Sequence, residues 1–258
     1  MTGGALSRAV RALKLAAAFL TVVPIRFGPD EVSEADLARS RYAYPPVGVA
    51  IGLALAGLSW ALAKVGAAPG LSAFVIVAAW AALTGGLHLD GLADTADGLF
   101  LWGDRDRRLH VMRDPHVGSF GLTAVVLVLL GKYAVLSGLG GPFRGRAVFG
   151  AAVIGRVLVL VSAGSAGYAR PQGTGRILID ATTFGNAIEA ALLVLILGVV
   201  VGGWSGLAAG VVSLGLAWGL TRLASARLGG VTGDTLGALV ESGELFVLLT
   251  LGLLNQGR

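Results

Sequence analysis

Residues 187–220 read AIEAALLVLILGVVVGGWSGLAAGVVSLGLAWGL, with Glu189 as the one charged side chain. A helix needs roughly 20 mostly apolar residues to cross a hydrocarbon core about 30 Å thick. The stretch therefore holds two crossings, Ala187 to Gly203 and Ser205 to Leu220. Outward from it, Ala43 to Val65, Leu71 to Leu89, Gly118 to Leu139, Ala147 to Ala169 and Leu236 to Leu254 qualify in the same way. The expected fold is all-α, a polytopic transmembrane helix bundle of about seven spans. Leu15 to Ile25 is too short to cross and is interrupted by Pro24, so it is expected to form an N-terminal interfacial or re-entrant helix.

Composition agrees. Of 258 residues, 55% are hydrophobic and 14% charged, where a soluble domain carries roughly 25% charged residues. The 41 glycines follow no G-X-Y period, which excludes a collagen-like chain. A net charge of +5 is spread over short loops with no basic stripe, which argues against nucleic acid as a partner. With no cysteine, a disulfide framework, a zinc knuckle and a thiol nucleophile are all excluded.

The polar segments alternate between two faces. Segments 1–42, 90–117, 170–186 and 221–235 hold 14 of the 20 Lys and Arg, so by the positive-inside rule that face is cytoplasmic. All 15 acids, Asp30 and Glu31 among them, lie in these loops or in the helix turns entering from them. The opposite face holds Lys64, Arg144, Arg146 and Arg258 and no acid. Carboxylates do not orient membrane proteins strongly, so this segregation points to chemistry on the cytoplasmic side.

The densest acidic run is His88-Leu-Asp90-Gly-Leu-Ala-Asp94-Thr-Ala-Asp97-Gly98. On a helix continuing the second span, Asp90, Asp94 and Asp97 share one face, and Gly91 and Gly98 allow close approach. Three like charges repel. Beside a membrane a cation must compensate them, and hard oxygen donors point to Mg2+ or Mn2+. A solvated helix face is the competing reading, disfavoured because the intervening residues are small or apolar.

Met112-Arg-Asp114-Pro-His-Val-Gly118-Ser-Phe-Gly121 returns Asp114 and Arg113 to the membrane surface, either as a diphosphate grip or as an ordinary charged loop. Gly229-Gly-Val-Thr-Gly233-Asp234-Thr-Leu-Gly237-Ala-Leu-Val-Glu241-Ser-Gly-Glu244 again leads acids into an apolar span. Its glycine turn suits phosphate oxygens or close packing between spans, and it lacks a Walker lysine. Lys132 and Arg156 fall inside spans, where a charge costs about 2.5–3.5 kcal/mol, and should face the bundle interior to meet carboxylates or a phosphate. His88, His110 and His116 read more readily as packing or surface residues than as bases.

HLDGLADTADG, MRDPHVGSFG and GGVTGDTLGALVE, in this order, together with FLTVVPI at 19–25 and YPPVGVAIG at 44–52, resemble the cobalamin synthase family, the adenosylcobinamide-GDP ribazoletransferases. The resemblance implies a single integral-membrane catalytic domain over residues 1–258. It would join adenosylcobinamide-GDP to alpha-ribazole or its 5'-phosphate and release GMP, with Mg2+, in the cell inner membrane and with the site facing the cytoplasm. Carried over by motif, the expected metal ligands are Asp90, Asp94, Asp97, Asp114, Asp234, Glu241 and Glu244. The expected phosphate contacts are Arg113, Lys132, Arg156, Arg170 and Gly233. Asp90, Asp94 and His88 are the candidates to accept the hydroxyl proton. The partners implied are these small molecules and the lipid bilayer, not nucleic acid, with a homo-oligomer left open. Two other classes compete. A CDP-alcohol phosphotransferase also uses an acidic helix, but its Ala-Arg pair and following Gly-x3-Asp-x3-Asp are absent. A cation transporter would need acids on a path to the opposite face.

Overall fold

The computed structural model describes residues 3–28, 32–173 and 175–255, with only the backbone at 3–5. Asp30, Glu31 and Arg258 of the charge tally lie outside the described residues. Among the described residues eleven α-helices run in chain order: α1 Gly3–Leu20, α2 Glu34–Ser40, α3 Tyr44–Lys64, α4 Pro69–Leu83, α5 Leu87–Phe100, α6 Arg105–Val111, α7 Ser119–Gly138, α8 Gly141–Ala163, α9 Arg176–Ala181, α10 Phe184–Leu228 and α11 Gly233–Leu254. The one β contact among the described residues is an isolated bridge between Tyr168 and Val231.

Helix α8 is the central post, buried on nearly every side and packed by α3, α10 and α11. Small residues make this possible, since lipid provides no hydrophobic drive between spans and close van der Waals fit must hold them together. At Gly48 and Gly52 of α3, a methyl group would stand 3.1 Å from the Cα atoms of Val153 and Phe149, so glycine lets the two backbones meet.

The quoted apolar run folds as expected into two limbs. Gly203, at φ +59°, breaks α10, and the limbs pack antiparallel, Gly198 against Gly206 and Val194 against Gly210. Among the described residues five helices are long and apolar enough to cross a membrane, six if the bent pair α4–α5 is counted as one broken span. The chain is an all-α polytopic membrane protein.

Several boundaries differ from expectation: α8 ends at Ala163, not Ala169, which leaves Tyr168 and Ala169 outside the span, and the N-terminal helix starts at Gly3, not Leu15. The second span ends at Leu83, not Leu89. Gly85 and Gly86 both take left-handed conformations (φ +62° and +70°), and the chain turns by 87° into α5. The acidic helix therefore crosses the end of the bundle instead of prolonging a span. Helix α8 begins at Gly141, with Pro142 in its first turn and Arg144 donating to the Leu139 carbonyl at 2.8 Å, so Arg144 and Arg146 are helical rather than in a loop. The N-terminal helix ends at Leu20, because Val23 precedes Pro24 and the ring disfavours helical backbone there.

The two ends of the bundle match the two faces read from charge. At one end Gly91 meets Asp234, Gly164 meets Thr183, and Val231 pairs with 167–169. At the other, Gly141 meets Ala63 and Gly202 meets Leu251.

Candidate active site

The acidic end is assembled by one close approach. A Cβ on Gly91 would lie 2.9 Å from the Asp234 carbonyl oxygen and 3.2 Å from its Cα; at Gly237 it would lie 3.4 Å from the His88 Cα. Helices α5 and α11 thus touch backbone to backbone, and the contact sets Asp90 and Asp94, on either side of Gly91, next to Asp234. Asp94 lies in the electrostatic field of both Asp234 and Asp90, with Arg170 opposing them.

Asp234 occupies the first turn of α11, whose start is fixed by a reciprocal cap between Thr232 and Thr235. Its carboxylate pairs with Arg170 at 2.7 Å. Arg170 is held in place by the strand-like contact on its N-terminal side, where Ala169 N–H donates to the Val231 carbonyl at 2.8 Å and Val231 N–H to that of Gly167 at 2.9 Å. Arg105 ties this loop to α6, donating to the carbonyls of Leu228 and Ala169 at 2.7 and 2.6 Å. Gly233 lies 3.3 Å from where a Cβ on Gly175 would be.

Tyr168 and Arg105 are additions that sequence reading did not supply. Tyr168 stands among Arg170, Asp234 and Arg113, and burial pushes its phenol above the ordinary value, so it stays protonated as a hydrogen-bond donor. Neither lies in a motif, and their roles come from the 167–169 to 231 pairing, which has no local signal.

Four expected ligands stand elsewhere. Asp97 is buried, and its two oxygens accept the N–H groups of Gly118 and Gly121 at 2.8 and 2.9 Å, so it caps the start of α7, where backbone donors would otherwise be orphaned. Asp114 is half exposed and bonded within its own turn to the backbone N–H (2.9 Å) and ring Nδ1 (2.7 Å) of His116; these bonds hold its carboxyl below the usual range. Glu241 and Glu244 are seven and ten residues along α11 from Asp234, about 10 and 15 Å at 1.5 Å per residue. They pair inside the bundle with two expected phosphate contacts: Lys132 with Glu241 at 2.6 Å and also with Glu244, and Arg156 with Glu244. This quartet of two bases and two acids is neutral and almost wholly buried, so burial is tolerated by mutual compensation. Lys132 also lies 4.6 Å over the Trp80 ring. His88 is buried near this quartet, its Nδ1 without a hydrogen-bond partner among the described residues.

Among the described residues no group of three or more His, Asp or Glu is arranged to hold a metal ion. The donors that do gather, Asp90, Asp94 and Asp234, suit a hard divalent cation in kind. All are carboxylates, and Asp90 and Asp94 carry no hydrogen bond or ion pair among the described residues, leaving Arg170 as the one guanidinium paired to the group.

The family model described as cobalamin-5-phosphate synthase matches residues 12–252. The chain belongs to this family. An adenosylcobinamide-GDP ribazoletransferase of Pseudomonas savastanoi pv. phaseolicola is 42% identical over 241 residues, covering 93% of this chain and 98% of its own. A ribazoletransferase of Roseiflexus sp. is 39% identical over 239 residues, covering 91% and 87%. One of Pseudomonas fluorescens is 40% identical over 240 residues, covering 93% and 98%. No solved structure matches the chain. Membership of the cobalamin-5-phosphate synthase family makes the chain an enzyme of cobalamin biosynthesis and sets aside the CDP-alcohol phosphotransferase and transporter readings.

Proposed function

We propose that the protein joins adenosylcobinamide-GDP to alpha-ribazole, or its 5'-phosphate, releasing GMP, with Mg2+ at the Asp90, Asp94 and Asp234 carboxylates, in the cell inner membrane and on the cytoplasmic side. The observation that carries this reading is the Gly91–Asp234 contact, which unites the acidic motif and the late glycine motif at one end of the bundle. Relatives named for the same transfer support the choice of substrates.

Bound there, Mg2+ would neutralise diphosphate oxygens and favour departure of GMP. The ribazole hydroxyl attacks the phosphorus bonded to the cobinamide side; a new P–O bond forms, the bridging P–O bond breaks, and GMP leaves with the electron pair. Asp94, half-buried between Asp90 and Asp234, accepts the hydroxyl proton. His88 is too enclosed to meet a substrate hydroxyl, at 4% exposure. Arg113 and Arg170 contact phosphate oxygens, and the Tyr168 hydroxyl donates alongside them.

The test is reconstituted protein given adenosylcobinamide-GDP and alpha-ribazole, with Mg2+ or with EDTA, scoring GMP and the cobalamin product. Formation of both, only with the divalent ion, is expected. Equal turnover in EDTA would remove the metal from the reading, and no turnover in either would remove the substrates.

A further inference from the structure

Helix α1 divides into three sectors at 3.6 residues per turn. Ala12, Leu15, Ala16 and Leu20 form one face and are buried against the bundle. Leu6, Val10 and Leu13 form a second, apolar and open, at 69%, 46% and 45% exposure. Arg8, Arg11 and Lys14 form the third, all exposed. Protein on one side, open apolar surface on the next and bases on the third is the distribution of a helix lying in a membrane surface.

Its position agrees. Phe19 stacks on Tyr44 at the start of α3, with 6.5 Å between ring centres. Val22 N–H donates to the Leu83 carbonyl at 2.9 Å, where α4 ends. Arg11 is bonded to Asp36 at 3.3 Å. These contacts hold α1 beside the end of the bundle that carries the acidic cluster, at the level where spans begin and finish. Among the described residues Arg8 and Lys14 have no acidic partner; Lys14 borders the apolar strip beside Val10, and Arg8 stands at the opposite edge of the basic sector, near the azimuth of Leu15.

We propose that α1 is an in-plane docking surface for anionic lipid, with Leu6, Val10 and Leu13 among the acyl chains and Arg8 and Lys14 on phosphate headgroups. Anionic headgroups are favoured over zwitterionic ones by charge complementarity with these bases. The inference is independent of the reaction assigned above.

The chain has no cysteine, so Val10→Cys and Lys14→Cys in the full-length protein each give a single labelling site. Labelled with an environment-sensitive fluorophore in phosphatidylcholine vesicles containing about 30% phosphatidylglycerol, position 10 is expected to resist aqueous iodide and position 14 to be quenched. Brominated phosphatidylglycerol should quench the position 10 label at least twofold more than brominated phosphatidylcholine at equal mole fraction. Arg8→Gln combined with Lys14→Gln should erase that preference. Equal iodide quenching at both positions overturns the seating, and equal quenching by the two brominated lipids overturns the anionic headgroup. A preference that survives the double Gln variant overturns the role of these bases. Protection from iodide with no lipid quenching, and energy transfer between labels on two molecules, would mean that a second copy covers the strip, which also overturns the proposal.

Discussion

Gly91 of α5 and Asp234 of α11 are 143 positions apart in sequence, yet the space for a Cβ on the first is already occupied by the backbone of the second, 2.9 Å away at the carbonyl oxygen. Backbone cannot rotate aside as a side chain can. The acidic end of the bundle therefore depends on a missing methyl group. Gly91→Ala should force α5 and α11 apart, cost about 1–3 kcal/mol of stability, and lower GMP release at least tenfold. Thermal unfolding in detergent and the turnover assay report the two effects separately.

Asp94 and Asp97 are three residues apart and should behave differently when neutralised. Asp94→Asn removes the carboxylate proposed to accept the hydroxyl proton and to ligate the cation, and GMP release should fall by at least a hundredfold while membrane insertion and melting stay near the parent. Asp97→Asn exchanges one acceptor for a donor facing a backbone N–H, which costs about 1–3 kcal/mol. Its melting temperature should drop while the Mg2+ concentration for half-maximal rate stays unchanged. A titration of rate against Mg2+ for both variants, beside their melting curves, checks this.

Glu244 is bonded to both Lys132 and Arg156 in the bundle interior. Glu244→Gln leaves two cations with one acid, Glu241, and breaking a buried pair in this way costs about 3–5 kcal/mol. The variant should melt far earlier than the parent. Adding Lys132→Met, which removes one of the stranded cations, should recover part of the loss, measured as a double-mutant cycle in detergent.

Tyr168 supplies a neutral donor beside Arg170 and Arg113, its ionisation pushed upward by burial. Tyr168→Phe should reduce kcat/KM by roughly ten- to a hundredfold, about 1.4–2.8 kcal/mol at tenfold per 1.36 kcal/mol. Because burial moves the folded phenol's ionisation above the ordinary tyrosine value, its loss as a donor sets in at higher pH than for a free tyrosine. Any loss of rate that the parent shows and the Phe variant lacks should therefore fall on the alkaline side of that ordinary value. pH–rate profiles of the two proteins, at fixed Mg2+, make the comparison.

The spans were legible because each obeys a local rule, about 20 apolar residues between polar segments. The 34-residue run at 187–220 fell correctly into two limbs on that rule alone. The second span was misjudged by six residues because hydropathy stays high through Leu87 and Leu89, whereas the Gly85–Gly86 backbone turns the chain aside. Sequence reading named seven acids as ligands of one ion, and of these the structure sets only Asp90, Asp94 and Asp234 side by side. Asp97, Asp114, Glu241 and Glu244 carry the same charge in the same motifs, but each has a partner that spacing does not reveal.

Sequence by itself determined the solvent of each segment, the two faces of the bundle and the family, since apolar length, charge distribution and motif order are all properties of the linear chain. Which acids remain uncommitted was decided only by tertiary structure. A carboxylate's role depends on what lies within a few ångströms of its oxygens. For Asp97 that is the start of α7, for Glu244 it is Lys132 and Arg156, and for Asp234 it is Arg170, brought there by a turn some sixty residues upstream.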